Sequence, residues 1–182
     1  MVLEIYLGPM YAGKTTKMIE MYNKNKSSHK VAIDFNIDDS PNESIQIKTL
    51  YNHNQNPLKG VYNIKDLIYF MENYAEMDTV QYIYINECQF FPNLQYFVFD
   101  CLKRNINVYL YGLDADYKQD LFGETALLIP YCNYIEKITG TCSSCLEKKS
   151  IVSHRITKEA QVYLPNSDSY VPLCLSCYLN RN

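Results

Sequence analysis

The chain of 182 residues contains no tryptophan, no internal repeat and no low-complexity tract. Nor does it have a basic excess: 17 lysines and arginines stand against 20 aspartates and glutamates, a formal net charge of −3. Gripping a phosphodiester backbone needs a basic face, so no nucleic-acid partner is expected. Long apolar runs are missing too, the longest being strand-length and far below the roughly 18 residues of a membrane span. No membrane partner is expected either. The opening Met1-Val2-Leu3-Glu4-Ile5-Tyr6-Leu7 has neither a charged leader nor a cleavage site, so it does not read as a secretion signal and a cytoplasmic location is expected. What remains is ordinary globular stock, 47% hydrophobic and 20% charged, of a length that suits one domain with a small appendage. The 18 tyrosines suit strand cores and interfaces, and without interleaved basic residues they make no base-stacking platform.

Seven cysteines, an odd number, argue against a disulfide framework in a chain of this kind. Cys88, Cys101 and Cys132 are scattered and read as small core hydrophobes. The other four form two pairs.

The apolar run Val2 to Leu7 reads as a buried strand that enters a tight turn at Gly8-Pro9. Helical spacing follows from Thr15 to about Asn25, then a second strand over Lys30 to Phe35. The polar stretch Asn36 to Gln55 offers no periodicity. Beyond it the pattern predicts a helix over Ile64 to Met77, a strand over Val80 to Ile85, a helix carrying Leu94, Phe97, Val98, Cys101 and Leu102, and a strand over Asn107 to Leu113. Strands alternating with helices point to an α/β fold, a parallel sheet with helices on both faces. Past residue 140 the chain turns to short polar segments, which sets an expected boundary between domains 1–140 and 141–182.

Gly8-Pro9-Met10-Tyr11-Ala12-Gly13-Lys14-Thr15 fits G-x-x-x-x-G-K-[ST], between an expected strand and an expected helix. Glycines let backbone N–H groups close round phosphate oxygens, and the helix N-terminus favours negative charge. In this role Lys14 neutralises the β- and γ-phosphates and the Thr15 hydroxyl ligates Mg²⁺. The chemistry is that of a nucleoside triphosphate site.

Tyr82-Ile83-Tyr84-Ile85-Asn86-Glu87 reads as the acidic strand that faces such a loop. Its metal-side position is Asn86, which can accept a hydrogen bond from a metal-bound water but brings no charge. Glu87 is then the only carboxylate on this edge and the natural general base. Asp38 and Asp39, after the second strand, are either solvated loop acids or, for Asp38, a partial substitute that helps hold a metal-bound water.

Cys142-x₂-Cys145 and Cys174-x₂-Cys177 are separated by 28 residues. Two such knuckles closing on one Zn²⁺ make an all-thiolate structural site, with the intervening chain as a loop tethered at both ends. Metal binding would supply the folding energy that so small a ribbon lacks. A redox pair or four unrelated thiols are the alternatives. The mixed charge of the flanks speaks against a nucleic-acid ribbon.

In this order the motifs resemble the type II thymidine kinases of animals, bacteria and large DNA viruses, over essentially the full length. Residues 8–16 look like their G-P-M-[FY]-[SA]-G-K-[ST]-T, Asn86 to Pro92 their D-E-[GA]-Q-F-F-x, Leu113 to Tyr117 with Phe122-Gly123 their L-D-[GA]-x-[FY] and P-F-G, and Tyr170 to Tyr178 their Y-x-x-x-C-R-x-C-[HY] ending. The resemblance implies a P-loop kinase core with a zinc-ribbon and lasso appendage. It implies transfer of the γ-phosphate of ATP to the 5′-hydroxyl of thymidine or deoxyuridine, in a homotetramer serving nucleoside salvage. Carried over, Glu87 takes the hydroxyl proton, and Lys14 and Thr15 hold the phosphates and Mg²⁺ with Gln89 beside them. Tyr117 and Phe122 wall the nucleoside pocket. Gln161, Val162, Tyr163, Leu164 and Pro165, with Tyr170 nearby, form the lasso over the base.

The chain departs from the family pattern at three places. Asn86 replaces the metal-side Asp, Pro165-Asn166 stands where a Gly-Gly is common, and Asp38-Asp39 run into Ser40 instead of an Arg. The first of these supports an alternative, a catalytically weakened nucleotide-binding protein of the same fold.

Overall fold

The computed structural model describes residues 1–38, 40–156 and 169–181. Strand β1 (Leu3–Leu7) runs into the glycine-bounded turn and helix α1 (Lys14–Lys24), followed by β2 (Lys30–Phe35). Strands β3 (Gln46–Tyr51) and β4 (Pro57–Ile64) come next, then α2 (Leu67–Asn73), β5 (Tyr82–Asn86), α3 (Leu94–Lys103), β6 (Asn107–Gly112) and β7 (Tyr134–Lys137). The seven strands form one sheet in the order β3-β4-β2-β5-β6-β1-β7, parallel except for the β3–β4 hairpin.

Alternation along the parallel strands divides the core in two. Leu3, Ile5, Val31, Ile33, Ile83, Ile85, Val108 and Leu110 pack with Leu67 and Phe70 of α2 and Leu94, Phe97, Val98 and Cys101 of α3. Tyr6, Ala32, Tyr84 and Tyr111 pack with Met18 and Ile19 of α1 on the opposite face. Helices thus cover both faces, as parallel sheets require. Many of the tyrosines collect on the α1 side: Tyr6 stacks on Tyr111 and Tyr84 on Tyr109, at 4.9 and 4.6 Å between centroids.

Three expectations need correction. The polar stretch from Asn36 to Gln55 contains β3, whose exposed edge position lets Gln46 and Lys48 alternate with apolar residues without a clear pattern. The helix expected over Ile64–Met77 is shorter. Ile64 closes β4, Asp66 caps α2 by accepting from the N–H groups of Ile68 and Tyr69, and Met77–Thr79 is a separate 3₁₀ turn. Of the scattered cysteines, Cys88 and Cys101 are buried core residues, while Cys132 is only partly covered.

The C-terminal part folds as short strands, β8 (Gly140–Thr141) with β9 (Lys149–Ser150) and β10 (Val152–Arg155) with β11 (Tyr170–Leu173), closed by α4 (Leu175–Leu179). Leu173 packs among the paired cysteines. No helix among the described residues is long and apolar enough to cross a membrane.

Candidate active site

The sheet's C-terminal edge gathers the chemistry. The turn after β1 must pass very close to the chain that follows β7: a Cβ on Gly8 would lie 2.1 Å from the Ile138 carbonyl oxygen. Gly13, at φ 93°, supplies the left-handed turn that opens α1 without strain. Ala12 N–H closes on the Pro9 carbonyl, and the Lys14 ammonium is buried against that same carbonyl at 2.8 Å. Burial pulls the Lys14 amine below its ordinary value, while the charges of Glu87 and Asp114 act the other way.

Glu87 follows β5 in the left-handed region (φ 51°, ψ 38°). For a residue with a side chain this costs about 1–2 kcal/mol, a strain that turns the chain sharply at the edge of the site. Burial raises the Glu87 carboxyl above the ordinary carboxylate range. Lys14 and a 2.7 Å hydrogen bond from Gln89 oppose that rise. Gln89 is buried and also accepts the Leu113 N–H at 3.0 Å, which sutures the end of β5 to the end of β6.

Lys14, Thr15, Glu87, Phe90, Leu113 and His53 line one cavity of about 190 Å³. His53 belongs to no motif in the sequence. It sits in the β3–β4 turn with its ring 5.7 Å from that of Tyr11, and only the long-range hairpin brings it there. On the other side of Phe90 lies a larger cavity of about 600 Å³, lined by Phe35, Asn36, Lys65, Phe122 and Glu124. Phe122 meets Phe90 edge to face at 5.2 Å.

The sequence reading singled out Asn86 but missed its partners Asp34 and Lys48. Asn86 is buried, its amide donates to Asp34 Oδ1 at 2.7 Å, and its own oxygen faces the Thr15 hydroxyl across a long 3.5 Å contact. Asp34 Oδ2 pairs with Lys48 at 2.5 Å. A lone Asp inside Val31-Ala32-Ile33-Asp34-Phe35 was the available signal. Asp38, the residue considered from sequence, is exposed. Thr15, Asn86 and Glu87 present oxygen donors of the kind hard divalent cations take.

The ribbon docks on the phosphate loop. Ser153 of β10 accepts the Met10 N–H at 2.9 Å, and a Cβ on Gly140 would meet the Tyr11 carbonyl at 3.2 Å. Arg155 lies over the Tyr117 ring at 4.9 Å, and Arg155 pairs in register with Tyr170. Immediately beyond, Ile156 N–H donates to the Ser169 carbonyl at 2.9 Å and extends the β10–β11 pairing by one bond. The lasso residues Gln161, Val162, Tyr163, Leu164 and Pro165 lie outside the described residues. The sulfurs of Cys142, Cys145, Cys174 and Cys177 all fall within 4.8 Å of one another, and none is in a disulfide. Four thiols converging at that spacing fit a single tetrahedral thiolate-bound ion such as Zn²⁺.

A family model described as thymidine kinase matches residues 1–178. The thymidine kinase of Amsacta moorei entomopoxvirus is 31% identical over 99% of this chain and 99% of its own length. That of Choristoneura biennis entomopoxvirus is likewise 31% identical, over 100% of this chain and 98% of its own. Thymidine kinase 1 of Dictyostelium discoideum is 26% identical over 97% of this chain and 77% of its own length.

Proposed function

The chain belongs to the thymidine kinase family, a family of phosphotransferases, and on that premise we propose that it moves the γ-phosphate of ATP to the 5′-hydroxyl of thymidine in nucleoside salvage, with deoxyuridine as a second acceptor. The observation that carries this reading is the meeting of Lys14 and Glu87 in one cavity, a buried cation beside a carboxylate whose proton affinity is raised. A base tuned upward takes a hydroxyl proton more readily than an ordinary carboxylate.

In this mechanism the backbone N–H groups of Gly13, Lys14 and Thr15 at the start of α1 and the Lys14 ammonium hold the phosphates. Glu87, oriented by Gln89, accepts the 5′-hydroxyl proton. Mg²⁺, when bound, neutralises charge on the β- and γ-phosphate oxygens. Thr15 would hold it directly and Asn86 through a water. Phe122 and Tyr117 wall the nucleoside, and the lasso residues Gln161 to Pro165, with Tyr170, would cover the base and shut out water that would otherwise hydrolyse ATP. The cysteine cluster, with Zn²⁺, anchors both ends of that cover, so 1–140 serves as the kinase domain and 141–182 as its lid. We assign a homotetramer and a cytoplasmic location on the same family ground.

The rival reading, a nucleotide-binding protein with little turnover, draws on the missing charge at Asn86. ADP release from Mg·ATP, with and without thymidine, separates the two. The kinase requires thymidine-dependent release that collapses in Glu87→Gln. Tight nucleotide binding with no thymidine dependence favours the rival.

A further inference from the structure

The charge missing from β5 is present one strand away. Asp34 on β2 stands in register with Asn86 on β5, and both are buried. Asp34 is also in register with Asn63 of β4, but its hydrogen bond goes to Asn86 and its ion pair to Lys48. Lys48 arrives from β3, across the full width of β4, to provide the counter-charge that a buried carboxylate needs.

This arrangement decides which way the Asn86 amide points. A carboxylate accepts hydrogen bonds and does not donate them. The Asn86 group facing Asp34 must therefore be its NH₂, and its oxygen must face Thr15. Without Asp34 the two ends of the amide would be nearly equivalent in shape, and half the orientations would aim N–H groups at the metal side of the site.

We propose that Asp34 is a positioning residue of the phosphate site: it locks Asn86 with its oxygen toward Thr15, and it places on β2, paired with Lys48, the carboxylate that β5 lacks. Aspartate at 34 with asparagine at 86 is thus a transposed form of a carboxylate at 86, with Lys48 as its counter-ion. The inference rests on the reading of residues 8–15 as a Mg·nucleotide site.

The test compares parent, Asp34→Asn, Asn86→Asp and the transposed double variant Asp34→Asn/Asn86→Asp. Titration calorimetry measures affinity for a non-hydrolysable ATP analogue with and without Mg²⁺, and thermal melts at pH 7.5 report stability. In Asp34→Asn the gain in affinity that Mg²⁺ brings is expected to fall about tenfold or more, the value of a hydrogen bond to a charged group, with metal-free binding unchanged. Asn86→Asp sets two carboxylates at hydrogen-bond distance and should melt below the parent, because like charges so close oppose one another. The double variant should regain both the melting temperature and the Mg²⁺ effect, a non-additivity that only direct coupling produces. A Mg²⁺ effect within about twofold of the parent in a folded Asp34→Asn protein would overturn the proposal. So would a double variant that binds or melts no better than the single variants, whether or not those fold. A parent that bound no nucleotide at all would instead overturn the phosphate-site reading, and the melts of the four proteins, which need no nucleotide, would still decide whether 34 and 86 are coupled.

Discussion

Gln89 donates its side-chain amide to Glu87 at 2.7 Å while its carbonyl oxygen takes the Leu113 N–H at 3.0 Å, so one buried side chain fixes both the carboxylate and the strand end beside it. Gly112 leaves room for it: a Cβ there would lie 2.5 Å from Gln89 Oε1. Gln89→Leu removes both bonds at nearly constant volume. We expect turnover to fall roughly ten- to a hundredfold, the range for a lost hydrogen bond to a charged group, with about 1–3 kcal/mol of stability lost. Nucleotide affinity should be unchanged, because Lys14 and the loop backbone do not depend on Gln89. Steady-state kinetics beside calorimetry would check the split; a loss of nucleotide binding equal to the loss of turnover would refute it.

The pH dependence of Glu87 follows from the direction of its shift. Burial raises its pKa in the folded protein, so between the ordinary carboxylate value and the folded value the native state binds more protons than the unfolded chain. Stability then falls as pH rises through that window. Glu87→Gln removes this penalty: the variant should melt above the parent at neutral pH, and the advantage should vanish below the ordinary carboxylate range. The same substitution should cost about 10²–10⁴ in turnover, the worth of a positioned base. Melts across pH 3 to 8, paired with rate measurements, read both. A variant that is less stable than the parent at pH 7 would show that the attraction of Lys14 and Gln89 for the carboxylate outweighs the cost of its burial.

Local patterns were legible in the sequence, and long-range ones were not. Residues 8–15 identify themselves because one short loop has to satisfy several chemical demands at once, and the cysteine pairs because two knuckles share one spacing. The parallel strands β1, β2, β5 and β6 show as apolar runs because both of their faces are buried. Strands β3 and β7 do not, since they lie at the two sheet edges: Gln46, Ile47, Tyr134 and Ile135 are all exposed. Asp34 was overlooked for a related reason. Its meaning depends on Lys48, Asn86 and Thr15, which reach it only when three strands and a helix come together.

The contact between Ser153 and Met10 makes the ribbon part of the phosphate site. Ser153→Ala leaves the Met10 N–H without its partner at the mouth of the loop. The expected cost is about 1 kcal/mol of stability, the net value of one neutral hydrogen bond. KM for ATP should rise several-fold with kcat little changed, since Glu87 and Gln89 are untouched. A change confined to KM for thymidine would mean that Ser153 serves the nucleoside cover and not the loop.

Metal removal should act at a distance for the same reason. Cys142, Cys145, Cys174 and Cys177 hold together a ribbon whose buried apolar core is little more than Leu173 and the cysteines themselves. Structural Zn²⁺ contributes about 10–16 kcal/mol of apparent binding energy in isolated fingers, far more than such a core can replace. One equivalent of zinc per chain is expected by elemental analysis. Cys177→Ser, or a strong chelator, should loosen β8 to β11 while the main sheet, with its separate core on both faces, keeps its secondary structure. Because Ser153, Arg155 and Gly140 lie against the phosphate loop and Tyr117, thymidine phosphorylation should fall tenfold or more (about 1.4 kcal/mol or above) before the sheet melts. Circular dichroism alongside activity tests the order of events: activity that survives complete loss of the metal would separate the ribbon from the catalytic site.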